Sequence, residues 1–346
     1  MAEKLTLVIR GNNTESIHWG SAVVATPEGE VRAECGDPSL PVYGRSCVKP
    51  VQVLPMVLSG AADRYGLSDR EIAVCCGSHN GEPMHTETVS GMLKRGSLSS
   101  DKLNCGTHAP YSVEAYEALL RSGAQIEPIH NNCSGKHAGM LLTCLHLGLD
   151  PDTYTESGHL LQRQVRELLA ELSGMEADKI EEGSDGCGLP THLFPLERLA
   201  LIFAKLADPS GLRPELQEAI LRVRSAIVRH PEMIGGTDEF DTELIRRTQG
   251  KIIGKIGAEG VYALAIPELK LGAAVKVDDG NRRAAYPAAV ELLRQVGALS
   301  ASEFEELSEF RLPLQCNHRG EEAGRLEPVI ELKRTSRFLT GAQPNG

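Results

Sequence analysis

The sequence predicts an α+β protein, with an antiparallel sheet built from both chain ends, helices flanking it, and a mainly helical subdomain between those ends. Three observations carry this. Strand-like patterning fills the first forty residues, helical spacing of apolar residues dominates the middle, and strand-like runs return near residue 260. The 346 residues suffice for roughly two folding units. Hydrophobic residues make up 41% and charged residues 24%, which suits a globular protein with a sizeable core. Aromatic residues are only 4%, so that core must be aliphatic.

In chain order, Ser16–Val24 runs into the turn Pro27-Glu28-Gly29-Glu30, and Val31–Cys35 returns as the second arm of a hairpin. From about Ser46 to Gly60 the apolar positions suit a helix, with Ser46 able to cap it and Pro50 in the tolerated first turn. Ile72-Ala73-Val74-Cys75-Cys76 is apolar but too short to assign between a strand and a helix end. Helical spacing follows at Val113–Ser122, Lys136–Leu147, His159–Leu172, Leu193–Ala207 and Pro214–Arg229. Gly123, Gly148, Gly183 to Gly188, Pro209-Ser210-Gly211 and His230-Pro231 separate these segments. Gly260–Ile266 and Leu271–Val277 read as strands, Asp278-Asp279-Gly280 as a turn, and Arg283–Gly297 as a final helix. The expected division is a sheet subdomain of residues 1–45 and 245–332, a mainly helical subdomain of 46–244, and a flexible tail of 333–346. Two independent domains cut near His230-Pro231 are the alternative.

Charge and cysteine content narrow the function. Lys and Arg number 36 against 47 Asp and Glu, a net charge of −11. That balance speaks against nucleic acid and against an anionic membrane surface as partners. Nine cysteines are an odd number and too sparse for a disulfide scaffold. The opening MAEKLTLVIR lacks the basic-then-apolar layout of an export signal, and no apolar run is long enough to span a bilayer. A cytoplasmic protein with reduced thiols is expected.

Ser46-Cys47-Val48-Lys49 places a hydroxyl and an amine three residues apart, on one face of a helix. A serine becomes a useful nucleophile when a neutral lysine can take its proton. Lowering that lysine from about 10.4 to about 7–8 costs roughly 3–4 kcal/mol, which burial or a second cation can impose. Ser78-His79-Asn80 and Lys255-Ile256-Gly257 follow in order. Ser-x-x-Lys, Ser-Asp-Asn and Lys-Thr-Gly mark serine β-lactamases and penicillin-binding proteins, so this chain carries that set with one position altered in each of the last two. Cys133 and Cys187 stand among small polar residues, unlike Cys75, Cys76 and Cys144, which sit beside aliphatics. Thiolates there suit zinc, although neither a Cys-x-x-Cys nor a His-x-x-x-His spacing occurs, and two free, partly buried thiols are the plainer reading. Cys47 is expected to pack behind the site and the remaining cysteines to fill the core.

Five motifs in order then make a resemblance visible: Arg45-Ser46-Cys47-Val48-Lys49-Pro50, Cys76-Gly77-Ser78-His79, Asn132-Cys133-Ser134-Gly135-Lys136-His137, Asp185-Gly186-Cys187-Gly188-Leu189-Pro190 and Gly254-Lys255-Ile256-Gly257-Ala258-Glu259-Gly260. This set resembles the L-asparaginases of the Rhizobium etli type (class 3), and the resemblance runs from about Ser16 to Gly297. No threonine loop of the bacterial threonine-dependent asparaginases opens the chain, and Gly235-Gly236-Thr237 lies too late to be one. The resemblance implies a fold like that of serine β-lactamases and glutaminases, a homodimer, and hydrolysis of the side-chain amide of L-asparagine to L-aspartate and ammonia. By motif position it implies two Ser–Lys pairs, Ser46 with Lys49 and Ser78 with Lys255. It implies one zinc ion on Cys133, Lys136 and Cys187, with water completing the site, and substrate contacts at Arg45, His137 and Asp185, to which Asn80 of the Ser-x-Asn triplet is added. The zinc is expected to organise substrate binding. Arg45 suits the α-carboxylate of asparagine and Asp185 its α-ammonium. Whether Ser46 attacks, or Ser78 attacks or relays the proton, stays open. The alternatives are another acyl-serine amidohydrolase, penicillin-recognising or glutaminase-like, and a zinc-stabilised amino-acid-binding protein.

Overall fold

The computed structural model describes residues 1–339. The described strands are β1 (Glu3–Arg10), β2 (Asn13–Ala25), β3 (Glu30–Cys35), β4 (Pro41–Tyr43), β5 (Glu182–Ser184), β6 (Pro190–Pro195), β7 (Ile253–Gly257), β8 (Val261–Ile266), β9 (Leu271–Val277), β10 (Leu314–Cys316), β11 (Glu322–Pro328) and β12 (Lys333–Phe338). Among the described residues nine of them form one antiparallel sheet, in the order β10-β11-β1-β2-β9-β8-β7, with β3 also on β2 and β12 on β3. Both chain ends therefore feed one sheet, and a cut near His230-Pro231 would part β9 from β2, which pair from Gly20↔Val277 to Ala25↔Gly272. The architecture is the α+β arrangement expected.

Side-chain alternation decides what each face of the sheet meets. In β2, Ala22 and Val24 enter one core while Val23 and Ala25 enter the other. In β8, Tyr262, Leu264 and Ile266 join the first, and Val261, Ala263 and Ala265 the second. Both faces are covered, which is why these strands read as unbroken apolar runs. The helix Arg282–Gln295 covers one face and the helix Leu196–Ala207 the other. The second helix comes so close that a Cβ at Gly272 would stand 2.0 Å from the Ala204 nitrogen. Alanines at 263, 265 and 274 on that face make the same allowance.

The helical subdomain stacks Asp69–Cys76 between Ser134–Leu147 and Pro214–Arg229. The ambiguous run Ile72–Cys76 is thus helical, and the signal lies upstream: Ser68 and Glu71 form a capping box. Leu193 belongs to β6, and the following helix begins at Leu196 after Pro195. Cys316 is exposed on the short edge strand β10 and fills no core; the other cysteines are buried, and all nine are free. The tail expected to fray from Lys333 instead forms β12 on β3, and residues 340–346 of that expectation lie outside the described residues. No described helix is long and apolar enough to cross a membrane.

Candidate active site

The segment expected as one helix with Ser46 as its cap is a 3-10 turn, Arg45–Val48, followed by two short helices, Lys49–Gln52 and Leu54–Leu58. Pro50 and Pro55 restart the chain at positions where no backbone N–H is needed. No side chain caps the turn, so the Ser46 hydroxyl is not spent on the backbone. The turn packs on β7, where the Cys47 thiol donates to the Lys255 carbonyl at 3.2 Å. A Cβ at Gly257 would stand 3.0 Å from that sulfur, so the strand needs glycine there to approach. Cys47 is fully buried behind Ser46, as its place in the motif suggested.

Two lysines enter this region from opposite sides, both buried. Lys49 Nζ donates to Ser78 Oγ at 3.0 Å, to Asn132 O at 3.2 Å and to Gly77 O at 2.5 Å. All three acceptors are neutral. Burial lowers Lys49 to about 8, with the nearby lysines 136 and 255 adding to the effect and Cys133 opposing it. Lys255 Nζ instead donates to Asp241 Oδ2 at 3.1 Å and to Ile256 O at 3.0 Å. The hydrogen bonds therefore differ from the expected pairs: Lys49 reaches Ser78 rather than Ser46, and Lys255 meets a carboxylate rather than Ser78.

Ser78 follows the end of the helix Asp69–Cys76 and is pinned by its N–H, which donates to Ile234 O at 2.8 Å. Asn80 N–H donates to Gly235 O at 2.9 Å, its Nδ2 to Glu82 at 2.8 Å, and its Oδ1 is buried without a partner. Ser46, Ser78, Asn80, Asn132, Asp241, Glu239 and Arg282 all line one cavity of about 500 Å³. Burial raises the Glu239 carboxyl, and Arg282 works against that rise.

A second cluster lies beside the first. Arg45, at φ 45° in a conformation uncommon for a side chain of this size, donates to Asp185 Oδ1 through Nη2 at 3.0 Å and Nε at 3.3 Å. Burial alone would raise Asp185; Lys136 and Arg45 outweigh it and hold the carboxyl low. Lys136 Nζ donates to Cys187 Sγ at 3.4 Å. A hydrogen bond between the two thiols lowers Cys187 to about 5, with Lys136 acting in the same direction, and raises Cys133 to about 12 together with burial. Burial opposes charge on Lys136, and the sulfurs outweigh it. His137 is fully buried; burial first, then Lys136, lowers it to about 3, so the ring is neutral. Its Nδ1 lies 2.7 Å from the Tyr154 hydroxyl, and its Nε2 has no partner.

The donor set of this cluster fits the implied zinc: two soft sulfurs and one amine, all buried, lie within hydrogen-bonding reach of one another. Among the described residues no three His, Cys, Asp or Glu side chains could hold a metal together, so the Lys136 amine is the third ligand the fit requires.

All eleven residues singled out from the sequence thus fall in two adjoining clusters. Arg45 and Asp185, expected to face the two ends of a zwitterion, hold each other. Four residues escaped the sequence reading: Asp241, Glu239, Arg282 and Tyr154. Asp241 and Glu239 follow Gly235-Gly236-Thr237, whose only sequence signal is a threonine loop in the wrong place, and nothing local marks their link to Lys255 or to the cavity.

Residues 6–328 match the family described as L-asparaginase II. No curated protein matches the sequence. Solved structures that resemble the chain include Mglu in its native form, at a TM-score of 0.47 and 14% identity over 82% of this chain and 65% of Mglu. A beta-lactamase from Mycobacterium bovis matches at a TM-score of 0.45 and 16% identity, over 81% of this chain and 95% of its own. The chain therefore spans about two thirds of the length of Mglu.

Proposed function

The chain belongs to the L-asparaginase II family, and we propose that it hydrolyses the side-chain amide of L-asparagine to L-aspartate and ammonia at the cavity beside Ser46 and Ser78. The observation that carries this reading is the hydrogen bond from buried Lys49 to Ser78 Oγ on that cavity wall. A lysine lowered to about 8 by burial is partly amine near neutral pH and can take a serine proton. Ser78 either attacks the carboxamide carbon itself or passes the proton of Ser46 to Lys49; in both routes Lys49 is the base. The tetrahedral intermediate collapses as the lysine returns that proton to the leaving nitrogen. Ammonia departs, an acyl-serine remains, and water cleaves it to aspartate.

The Arg45–Asp185 ion pair supplies a cation and an anion that could each exchange partner for one end of the amino acid, so no net charge is stranded. Neutral His137 offers its unpartnered Nε2 at the same corner. Cys133, Lys136 and Cys187 would hold the zinc, whose charge, when bound, replaces that of the Lys136 ammonium next to Asp185. Cys187→Ser is expected to lower zinc content well below one per chain and to raise KM more than it lowers stability, read by metal assay, kinetics and thermal unfolding.

Ammonia release from L-asparagine by purified protein is the test of the reaction, beside glutamine and β-aspartyl compounds. Release from asparagine is expected, and no release either with or without added zinc would overturn the reading. Acylation by a fluorescent penicillin with asparagine inert, or asparagine binding without turnover, would replace this reading with one of its alternatives.

A further inference from the structure

We propose that the cavity beside the two serines carries a leaving-group subsite, formed by Arg282, Glu239, Glu259 and Asn80, for asparagine amides whose nitrogen bears a basic amino acid, the β-aspartyl dipeptides ending in lysine or arginine. This subsite rests on the amide-hydrolysis reading and adds a substrate class to it. Its ground is unused charge. Four carboxylates and one guanidinium line the cavity. Lys255 engages Asp241, and His18 engages Asp279. Among the described residues the side chains of Arg282, Glu239 and Glu259 have no hydrogen bond or ion pair. Asn80, on the same wall, is buried with its Oδ1 unpartnered. A buried acceptor without a donor costs free energy that a ligand N–H would recover.

The segments that present these groups are braced. Thr237 donates to Glu82 through its N–H at 3.3 Å and its Oγ1 at 3.0 Å, and Asn80 Nδ2 donates to the same carboxylate at 2.8 Å. Gly236, at φ 123°, lies so close that a Cβ would stand 2.3 Å from the Asn80 amide. In the turn before Arg282, Asp279 meets His18 Nδ1 at 2.6 Å and accepts the Asn281 N–H at 3.0 Å. The Glu259 carboxylate lies over Gly280 of that turn, where a Cβ would stand 2.6 Å from Oε2. Size and charge then select the ligand. Ammonia needs about as much room as a water molecule, about 30 Å³, and the cavity offers about 500 Å³. Arg45 and Asp185 do not line it, so an asparagine held by its α-end at their corner directs its amide nitrogen inward. Two free carboxylates and one guanidinium match a basic amino acid, with two cationic groups and one carboxylate once released. Burial opposes charge on Glu239, and an arriving cation relieves it. The amide N–H suits Asn80 Oδ1. The step is the one already described: a serine Oγ bonds to the amide carbon, the C–N bond breaks as Lys49 returns the proton to nitrogen, and the basic amino acid departs. Water then cleaves the acyl-serine to aspartate.

The test compares kcat/KM of the full chain on L-asparagine, β-aspartyl-lysine, β-aspartyl-glycine and β-aspartyl-glycinamide. The lysine compound is expected to exceed the glycine compound, and that to exceed the glycinamide, by about tenfold each. Arg282→Ala is expected to lower the glycine-to-glycinamide ratio about tenfold. Glu239→Gln combined with Glu259→Gln is expected to lower the lysine-to-glycine ratio by about as much. Each ratio compares two substrates on one variant, so a loss of folded protein or of serine reactivity cancels. Turnover of asparagine with none of the three β-aspartyl compounds overturns the subsite and leaves the reaction reading in place. Ratios that the variants do not move overturn it too. If nothing is hydrolysed, the reaction reading fails and calorimetry with β-aspartyl-lysine answers for the subsite. Binding that Arg282→Ala weakens about tenfold upholds it; no binding, or binding that the variant leaves alone, overturns it.

Discussion

The hydroxyl of Ser78 is one of three neutral acceptors around an amine that burial strips of its usual affinity for protons. Ser78→Ala removes one acceptor and the proton path together. Turnover is expected to fall by about a thousandfold or more, and stability by only about 1 kcal/mol, since the lysine keeps its two carbonyl partners. Steady-state kinetics and urea unfolding measure the two effects separately, and near-full activity would take Ser78 out of the reaction. The lowered Lys49 also sets a pH dependence. As a base it must be unprotonated, so kcat/KM is expected to rise about tenfold per pH unit below about 8 and to level off above it. Stability follows the same group with the same sign. Between its ordinary 10.5 and about 8 the unfolded chain holds a proton that the folded chain does not. Folding is thus weakened as the pH falls through that window, by roughly 3 kcal/mol in all, with no further change below it. A pH–rate profile that is flat across this range would remove Lys49 from the role of base.

At the scale of elements, β9 packs backbone to backbone against the helix Leu196–Ala207. Gly272→Ala puts a methyl group where the Ala204 nitrogen and the Ala200 carbonyl already stand, 2.0 and 2.2 Å away. Backbone cannot yield as a side-chain end can, so strand and helix must separate, at a cost of about 1–3 kcal/mol. Urea unfolding is expected to show that loss, with kcat unchanged at temperatures where the variant is folded, because Gly272 lies at the end of β9 away from Asp279 and Gly280, which line the cavity. Patterning made this layer readable in advance. β8 and β9 are apolar on both faces, as strands covered on both sides are, and the glycines and turn residues around them set their length. Ile72–Cys76 was unreadable by the same rule, because five apolar residues fit a strand or a helix, and the deciding cap at Ser68 and Glu71 precedes the run. The Ser46 segment misled for a different reason. Its serine and proline are good helix-start residues, yet two prolines five apart restart the chain and turn one helix into three short pieces. The site divides along similar lines. Ser46, Ser78 and Lys255 stand in motifs that short spacing reveals. Which lysine serves which serine depends on Asp241 and Asn132, whose approach comes from tertiary packing and leaves no local mark.

At the scale of the whole molecule, the sheet runs from the site to β2, where it divides into a branch ending at β10 and a branch ending at β12 near the chain terminus. β7 lies at one edge, and the path β8-β9-β2-β3 leads across to β12. β12 covers β3, pairing Lys333↔Glu34, Arg334↔Ala33, Arg337↔Val31 and Phe338↔Glu30. Arg337 adds ion pairs to Glu34 and Glu197, at 2.9 and 2.8 Å, which tie the strand both to the sheet and to the helix Leu196–Ala207. Leu339 follows, 4% exposed, with its N–H donating to Gly29 O at 2.8 Å. Removing residues 333–346 would strip all of these and leave β3 as a bare edge with free backbone donors and acceptors. Burial of Leu339 alone is worth about 2 kcal/mol, so a fall in Tm of about 3 °C or more is expected for a chain this long. The uncovered edge is expected to show as self-association in light scattering, more so near the lowered Tm. Turnover per folded chain should stay at the full-length value, since β3 and the Ser78 cavity are separated by the width of the sheet. An unchanged Tm would mean that β12 contributes no net stability. An intact Tm with lost turnover would mean that this strand reaches the site by a route that the pairing of the sheet does not contain.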